Sequence, residues 1–172
     1  MGESQSFRAS VGVVVINDRW DVLALERIDK AQLKAGVKKG TGQWQMPQGG
    51  LDGGEEPDEA WVRELNEEIA ASKEDVEPIG VFPDWLVYEL PSAERQDPSI
   101  QAKHGRGQAQ KWFFVRLKPS ASIRLDAGEE EFFTYRWMPL EKLAEETWEV
   151  RRPIYRRLAQ HLAELRQQKQ HA

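Results

Sequence analysis

The sequence predicts an α+β fold, in which strands and helices occur together without the strict strand–helix alternation of a parallel α/β chain. Three observations carry this. Residues 10–16 (Ser-Val-Gly-Val-Val-Val-Ile) form a β-branched run closed by Asn17-Asp18, which marks a buried strand ending in a turn. Trp61, Leu65 and Ile69 recur every four residues, as do Ile154, Leu158 and Leu162, the spacing of helices with one apolar face. Between those helices lie two more strand-like stretches, 76–90 and 108–117.

Taken in order, residues 22–27 read as the hairpin partner of 10–16, and 28–42, with its lysines and glycines, as a surface loop. Trp44-Gln-Met-Pro-Gln-Gly-Gly50 is turn chemistry, its two glycines inviting close backbone approach. The helix over 58–70 opens among Asp52, Glu55, Glu56 and Asp58, where the helix dipole favours anions. Pro91, Pro98, Gly105 and Gly107 mark a polar loop between the two middle strands. A short strand over 134–138 leads into a helix started by Pro139, and 153–167 forms a final amphipathic helix. No repeat or domain boundary interrupts the 172 residues, so one domain over 1–172 is expected.

Composition removes several kinds of chemistry. There is no cysteine, hence no disulfide framework, Cys-ligated zinc or thiol nucleophile, and three scattered histidines make a His-built metal site or a Ser–His–Asp triad a poor fit. The longest apolar run, 11–16, is far too short to span a bilayer, and little chain precedes it to serve as a signal peptide. A cytoplasmic location with no membrane partner is expected. The net charge of −5 is uneven: 52–77 holds eleven acids and two bases, whereas 148–172 holds six bases and two acids. Such runs are usually solvated helix faces, but they also suit an acidic cation site beside a surface for a polyanion.

Glu64, Glu67 and Glu68 stand at i, i+3 and i+4, so on a helix they share one face, expected to lie opposite the Trp61/Leu65/Ile69 stripe. Their mutual repulsion is relieved by a cation, and carboxylate oxygens are hard ligands suited to Mg²⁺ or Mn²⁺. By itself the triplet more often marks a solvated acidic face.

Gly49, Glu55, Arg63, Glu64, Leu65, Glu67 and Glu68 together resemble the Nudix box, Gly-x5-Glu-x7-Arg-Glu-apolar-x-Glu-Glu-x-Gly-apolar. The chain departs from it at Ala70, where the box has glycine; an altered helix exit, such as a longer helix, is expected there. Further stretches, among them Arg8-Ala-Ser-Val-Gly12, Trp85-Leu-Val-Tyr88, Gly107-Gln-Ala-Gln-Lys-Trp-Phe113, Glu131-Phe132 and Arg151-Arg-Pro-Ile-Tyr-Arg156, are similar to the branch holding bacterial RNA 5′-pyrophosphohydrolases and plant-type asymmetric diadenosine tetraphosphate hydrolases. The 28–42 loop is longer than is usual in that branch.

The resemblance implies an α/β/α sandwich around a mixed sheet, with the box as loop–helix–loop, and divalent-metal-assisted hydrolysis of a phosphoanhydride. It implies metal binding by Glu64, Glu67, Glu68 and Glu131, with Glu131 as ligand or general base, and bracing of the loop by Glu55 and Arg63. Arg8, Arg27 and Lys111 match positions that meet substrate phosphates. Gly49 and Gly50 let the backbone approach closely, and Trp85, Tyr88 or Trp148 would stack on a base. The expected substrate is RNA with a 5′-triphosphate or diphosphate end, the run Arg151, Arg152, Arg156 and Arg157 holding the strand; the alternative is a dinucleoside polyphosphate. No DNA partner is expected. A non-catalytic nucleotide- or RNA-binding module and a plain interaction domain are the rivals of other classes, and the presence of all four box glutamates speaks against the first.

Overall fold

The computed structural model describes residues 5–126 and 128–171. In chain order its elements are β1 (Phe7–Ile16), β2 (Val22–Ile28), α1 (Lys30–Lys34), β3 (Gly40–Gln45), β4 (Gln48–Gly50), α2 (Pro57–Ile69), β5 (Val76–Val81), β6 (Leu86–Glu89), α3 (Ser92–Gln96), α4 (Pro98–His104), β7 (Gly107–Leu117), β8 (Phe132–Met138), α5 (Leu140–Glu146) and α6 (Arg152–Gln170), with 3₁₀ turns at Lys73–Asp75 and Glu149–Arg151.

β1 pairs in parallel with β7 along its whole length, from Phe7↔Gly107 to Ile16↔Arg116, and every other named ladder is antiparallel, so the sheet is mixed. The expected β1–β2 hairpin exists only at its turn. There the Asn17 side chain accepts from the Arg19 and Asp21 backbone N–H groups, and the strands pair at Ile16↔Val22 before they splay. β2 then pairs with β3 and β8, and the start of β1 takes β4 as its second neighbour. This splay opens the ground on which the candidate site stands.

The sheet separates two cores. On one face Val11, Val13, Phe113 and Val115 pack against the Trp61/Leu65/Ile69 stripe of α2, with Trp61 stacked on Phe113 at 5.7 Å between ring centroids. On the other, Val14, Ile16, Trp112 and Phe114 meet Leu140 and Leu143 of α5 and Ile154, Leu158 and Leu162 of α6. Each fully buried side chain of this size contributes about 1.5–3 kcal/mol. The Tyr155 hydroxyl accepts from the Met46 backbone N–H at 2.9 Å, tying α6 to the turn between β3 and β4.

Several sequence expectations need correction. The stretch 76–90 is two strands, because Pro83 has no N–H for a ladder and the chain bends at 82–85. The polar loop that follows carries α3 and α4; Asp97 caps α4 through the Ser99 and Ile100 N–H groups, and Pro98 takes its first turn. Likewise the 28–42 loop contains α1, capped by Asp29, and the start of β3. Among the described residues no helix is long and apolar enough to cross a membrane.

Candidate active site

α2 begins at Pro57, with Asp58 and Glu59 in its first turn, and ends at Ala70, whose φ of 59° and ψ of 27° are left-handed. The helix therefore stops where a glycine would stop it, and the expectation of a longer helix is corrected: packing of Ile69 and Ala71 in the core overrides the preference of alanine for right-handed backbone. A second correction concerns the acids. Glu64 and Glu68 do not lie opposite the apolar stripe. They flank it, 8% and 7% exposed, wedged towards β4, and Glu67 alone of the three is open to solvent.

Arg63 organises the loop leading into α2. Its Nε and Nη2 donate to the two Glu55 carboxylate oxygens at 2.8 Å each, Nη2 also to the Gly50 carbonyl at 2.9 Å, and Nη1 to Glu64 at 2.9 Å and Glu67 at 3.2 Å. Glu55 in turn accepts from the Asp52 N–H at 3.0 Å. These hydrogen bonds hold the Glu55 carboxyl down at about 2, and the Glu55 carboxylate foremost raises Arg63 above its ordinary value. A Cβ on Gly49 would collide with the Glu64 carboxylate, and one on Gly50 with the Arg8 guanidinium, so glycine at both lets acid and base close on the β4 backbone.

Glu64, Glu67 and Glu68 line a cavity of about 500 Å³ together with Glu129, Glu131, Arg8 and Arg27. The Glu131 backbone is fixed by its carbonyl accepting from Ile28 N–H at 2.8 Å, and of its neighbours Glu129 also lines the cavity, while Glu130 pairs with Lys38 at 3.8 Å. Burial pushes Glu64 up to about 7, Arg63 pulling the other way and Glu67 and Glu131 adding to the rise. Burial also raises Glu68 well above the ordinary carboxyl range, with Glu64 and Glu131 contributing. Glu68 accepts from the Gln48 N–H at 3.2 Å and has no ion pair among the described residues. Buried, mutually repelling carboxylates of this kind fit a hard divalent cation, which supplies the missing positive charge. Among the described residues no three acids already stand close enough to share one ion; Arg63 Nη1 lies between Glu64 and Glu67.

The opposite wall is basic and aromatic. Arg27 and Arg151 both donate to Gln45 Oε1, at 3.1 and 3.3 Å, and the Arg151 guanidinium lies 5.4 Å from the Trp148 ring centroid. Trp148 meets Tyr88 edge to face at 6.3 Å, and both line the cavity. Arg8 reaches across to the Lys103 carbonyl, and α3 and α4 contribute Glu94, Ile100, Lys103 and His104 to the rim. Two predicted residues lie elsewhere. Lys111 lies on the face opposite Trp112, as strand alternation predicts, but its expected contact with substrate phosphates is corrected: it is outside the cavity lining, and its ammonium donates to the Phe82 and Pro83 carbonyls at 2.9 and 3.1 Å. Trp85 is 44% exposed and outside the cavity lining. Nor do the four arginines form a continuous track, since Arg152 donates to the Thr147 carbonyl and Arg157 lies 4.0 Å from Asp84.

Sequence reading missed a buried amide chain beneath the site. Trp112 Nε1 donates to Gln110 Oε1 (3.2 Å), Gln110 Nε2 to both Gln108 (3.1 Å) and Gln48 (3.3 Å), and Ser10 Oγ to Gln108 (3.0 Å). Since the Gln48 N–H holds Glu68, the chain runs from the sheet core to a candidate ligand. Its trace in the sequence is Gln108 and Gln110 alternating on the face that continues as Trp112 and Phe114.

With this geometry in hand, residues 6–158 match the family model described as NUDIX domain. The chain belongs to the NUDIX family. It is a NUDIX hydrolase, and hydrolases of the family use divalent metals. It is 39% identical over 162 residues to a protein named RNA pyrophosphohydrolase from Acidiphilium cryptum, covering 91% of this chain and 90% of that one. It is likewise 39% identical over 163 residues to one of the same name from Gluconacetobacter diazotrophicus, covering 94% of each. The NUDIX fold, a mixed sheet with flanking helices, recurs in solved structures of an E. coli dihydroneopterin triphosphate pyrophosphohydrolase (TM-score 0.64, 22% identity, 91% of this chain and 99% of that) and a C. elegans Ap4A hydrolase (0.62, 19%, 91% and 98%).

Proposed function

We propose that this NUDIX hydrolase is an RNA 5′-pyrophosphohydrolase that uses Mg²⁺, or Mn²⁺ in its place, to convert 5′-triphosphate or diphosphate ends to monophosphates. The observation that carries the reading is the single cavity in which buried Glu64 and Glu68, with Glu67 and Glu131, face Arg8 and Arg27. The likeness in sequence to proteins named RNA pyrophosphohydrolase, at 39% identity over nearly the whole chain, supports the RNA end as substrate. The fold likeness to the Ap4A hydrolase supports the fold alone.

Glu64, Glu67, Glu68 and Glu131 would hold the metal, which when bound neutralises the polyphosphate and polarises the attacked phosphoryl group. Arg8 and Arg27 bind the remaining phosphate oxygens by charge-assisted hydrogen bonds. Arg63 and Glu55 keep the 50–55 loop in place, so Glu64 stays aligned with Gly49. As water bonds to phosphorus and the anhydride P–O bond breaks, the water proton passes to a carboxylate, and Glu131, on a segment apart from α2, is placed to take it or to complete the ligand set. Glu131→Gln separates the two roles: lost kcat with unchanged metal affinity identifies the base, and weakened metal binding identifies the ligand.

Asymmetric hydrolysis of a dinucleoside polyphosphate is the second reading. It is favoured by the arginines of 151–157: among the described residues only Arg151 of them lines the cavity, and Arg152 donates to the Thr147 carbonyl, so no continuous strand track runs along α6 beside the site. Product analysis on 5′-triphosphate RNA and diadenosine tetraphosphate with one enzyme preparation tests both. We expect a higher kcat/KM on RNA, with a 5′-monophosphate product; a clear preference for the dinucleotide reverses the assignment, and no turnover of either leaves only a binding module.

A further inference from the structure

We infer that the connection between β2 and β3, residues 29–42, is a basic flap that holds the phosphates of RNA nucleotides beyond the 5′ end while that end occupies the acidic cavity. The inference rests on the RNA reading above and adds the surface that engages the strand. Within 29–42 stand four lysines, Lys30, Lys34, Lys38 and Lys39, against one acid, Asp29. The Asp29 carboxylate is engaged in capping α1, accepting from the Ala31 and Gln32 N–H groups at 3.1 Å each. Four lysines against one aspartate leave the segment a net charge of +3, on a chain whose net charge is −5.

Placement makes this more than a solvated run. The flap meets the cavity twice: Lys30 is part of the lining that contains Glu64, Glu68 and Glu131, and Lys38 reaches Glu130, next to the lining residues Glu129 and Glu131. The Lys38–Glu130 contact is 3.8 Å long with both side chains about half exposed (54% and 46%), too open to keep the ammonium from a phosphate. Among the described residues Lys30, Lys34 and Lys39 have no ion pair. Lys30 and Lys34, one turn of α1 apart, share a face.

The flap is also built rather than slack. Asp29 N–H donates to the Lys39 carbonyl and Val37 N–H to the Gln32 carbonyl, both at 2.8 Å, while Thr41 Oγ1 donates to the Arg27 carbonyl at 3.1 Å. Gly42 N–H donates to Glu26 at 2.8 Å. A strand whose first phosphates lie between the acids and Arg27 also meets Lys30, because both line the cavity and Arg27 is the last residue but one of the strand from which the flap departs. Of the four arginines at 151–157, by contrast, only Arg151 is among the described residues that line the cavity, and Arg152 donates to the Thr147 carbonyl.

The test compares wild type with Lys34→Ala/Lys38→Ala/Lys39→Ala, three positions outside the cavity lining, on a 5′-triphosphate dinucleotide and on a longer 5′-triphosphate oligonucleotide with the same start. The triple variant should lose roughly tenfold or more in kcat/KM on the oligonucleotide through KM, and keep wild-type rates on the dinucleotide. The slope of log kcat/KM against log salt should flatten by about 2, three contacts at about 0.7 each. The matching triple arginine variant should retain the wild-type slope. Equal losses on both substrates, or an unchanged slope on the oligonucleotide, overturn the flap. If wild type cleaves neither RNA, the functional reading fails on its own. The flap is then judged by binding of a 5′-monophosphate oligonucleotide: a salt slope flattened in the triple variant upholds it, an unchanged slope overturns it.

Discussion

Ala70 is the residue at which sequence pattern and backbone disagree. Its left-handed φ of 59° costs an alanine about 1 kcal/mol that glycine avoids. Ala70→Gly is thus expected to raise the melting temperature by a few degrees and leave kcat unchanged; a lower melting temperature would show that the exit is not left-handed. The two acids just upstream separate in a different way. Glu67→Gln and Glu68→Gln should each lower kcat by about a hundredfold or more, since loss of a residue merely supporting a ligand already costs ten- to a hundredfold. Their stabilities without metal should part, however. Glu68 is buried beside Glu64 and Glu131, so its neutral variant should melt higher, whereas exposed Glu67, paired with Arg63, should change little. Equal activity of both variants with wild type at saturating Mg²⁺ would remove them from the metal site.

Between elements, the coupling to watch is β7 to β4. Gln110 is fully buried and bridges Trp112, Gln108 and Gln48. Gln110→Leu keeps the volume but strands these partners, at about 1–3 kcal/mol. Because the Gln48 N–H holds Glu68, the variant should also need more Mg²⁺ for half-maximal activity. A stability loss with an unchanged metal requirement would reduce the chain to a core feature. The splay of β2 from β1 is the other decisive relation between elements. It exchanges a long hairpin for a short one, gives the start of β1 to β4, and brings Gly49 and Gly50 under α2.

For the protein as a whole, the acids make metal-free stability fall as pH rises. Glu64, with its folded value near 7, keeps its proton above the ordinary carboxyl range near 4.5, so between these values the folded state binds more protons than the unfolded state. This stabilisation is full below about 4.5 and lost as pH passes about 7, and raised Glu68 acts in the same direction. Glu55, held near 2, works oppositely and only in acid, its contribution vanishing as pH falls through that value. A metal held by these acids would reverse the trend above neutrality, since a divalent ion binds carboxylates in their deprotonated form and stabilises by mass action. The Mg²⁺-induced rise in melting temperature should therefore be larger at pH 8 than at pH 6, and an equal rise at both would mean that the raised acids are not the ligands.

The linear chain sufficed for the α+β class, the helix that presents Glu64, Glu67 and Glu68, and the loop acids and base that brace it, because helical period and the spacing of the box are local. It was also enough to join the flanking motifs to one family. Long-range packing settled the rest. Lys111 and Gln110 are neighbours on one strand, yet alternation sends the first to the Phe82 and Pro83 carbonyls and the second into the amide chain under Glu68. Glu130 parted from Glu129 and Glu131 only once β8 was paired with β2, since it reaches Lys38 while the other two line the cavity, and Arg151 parted from Arg152 only once α6 had docked. Which face a side chain takes follows from register and burial, and these are properties of neighbours distant in sequence.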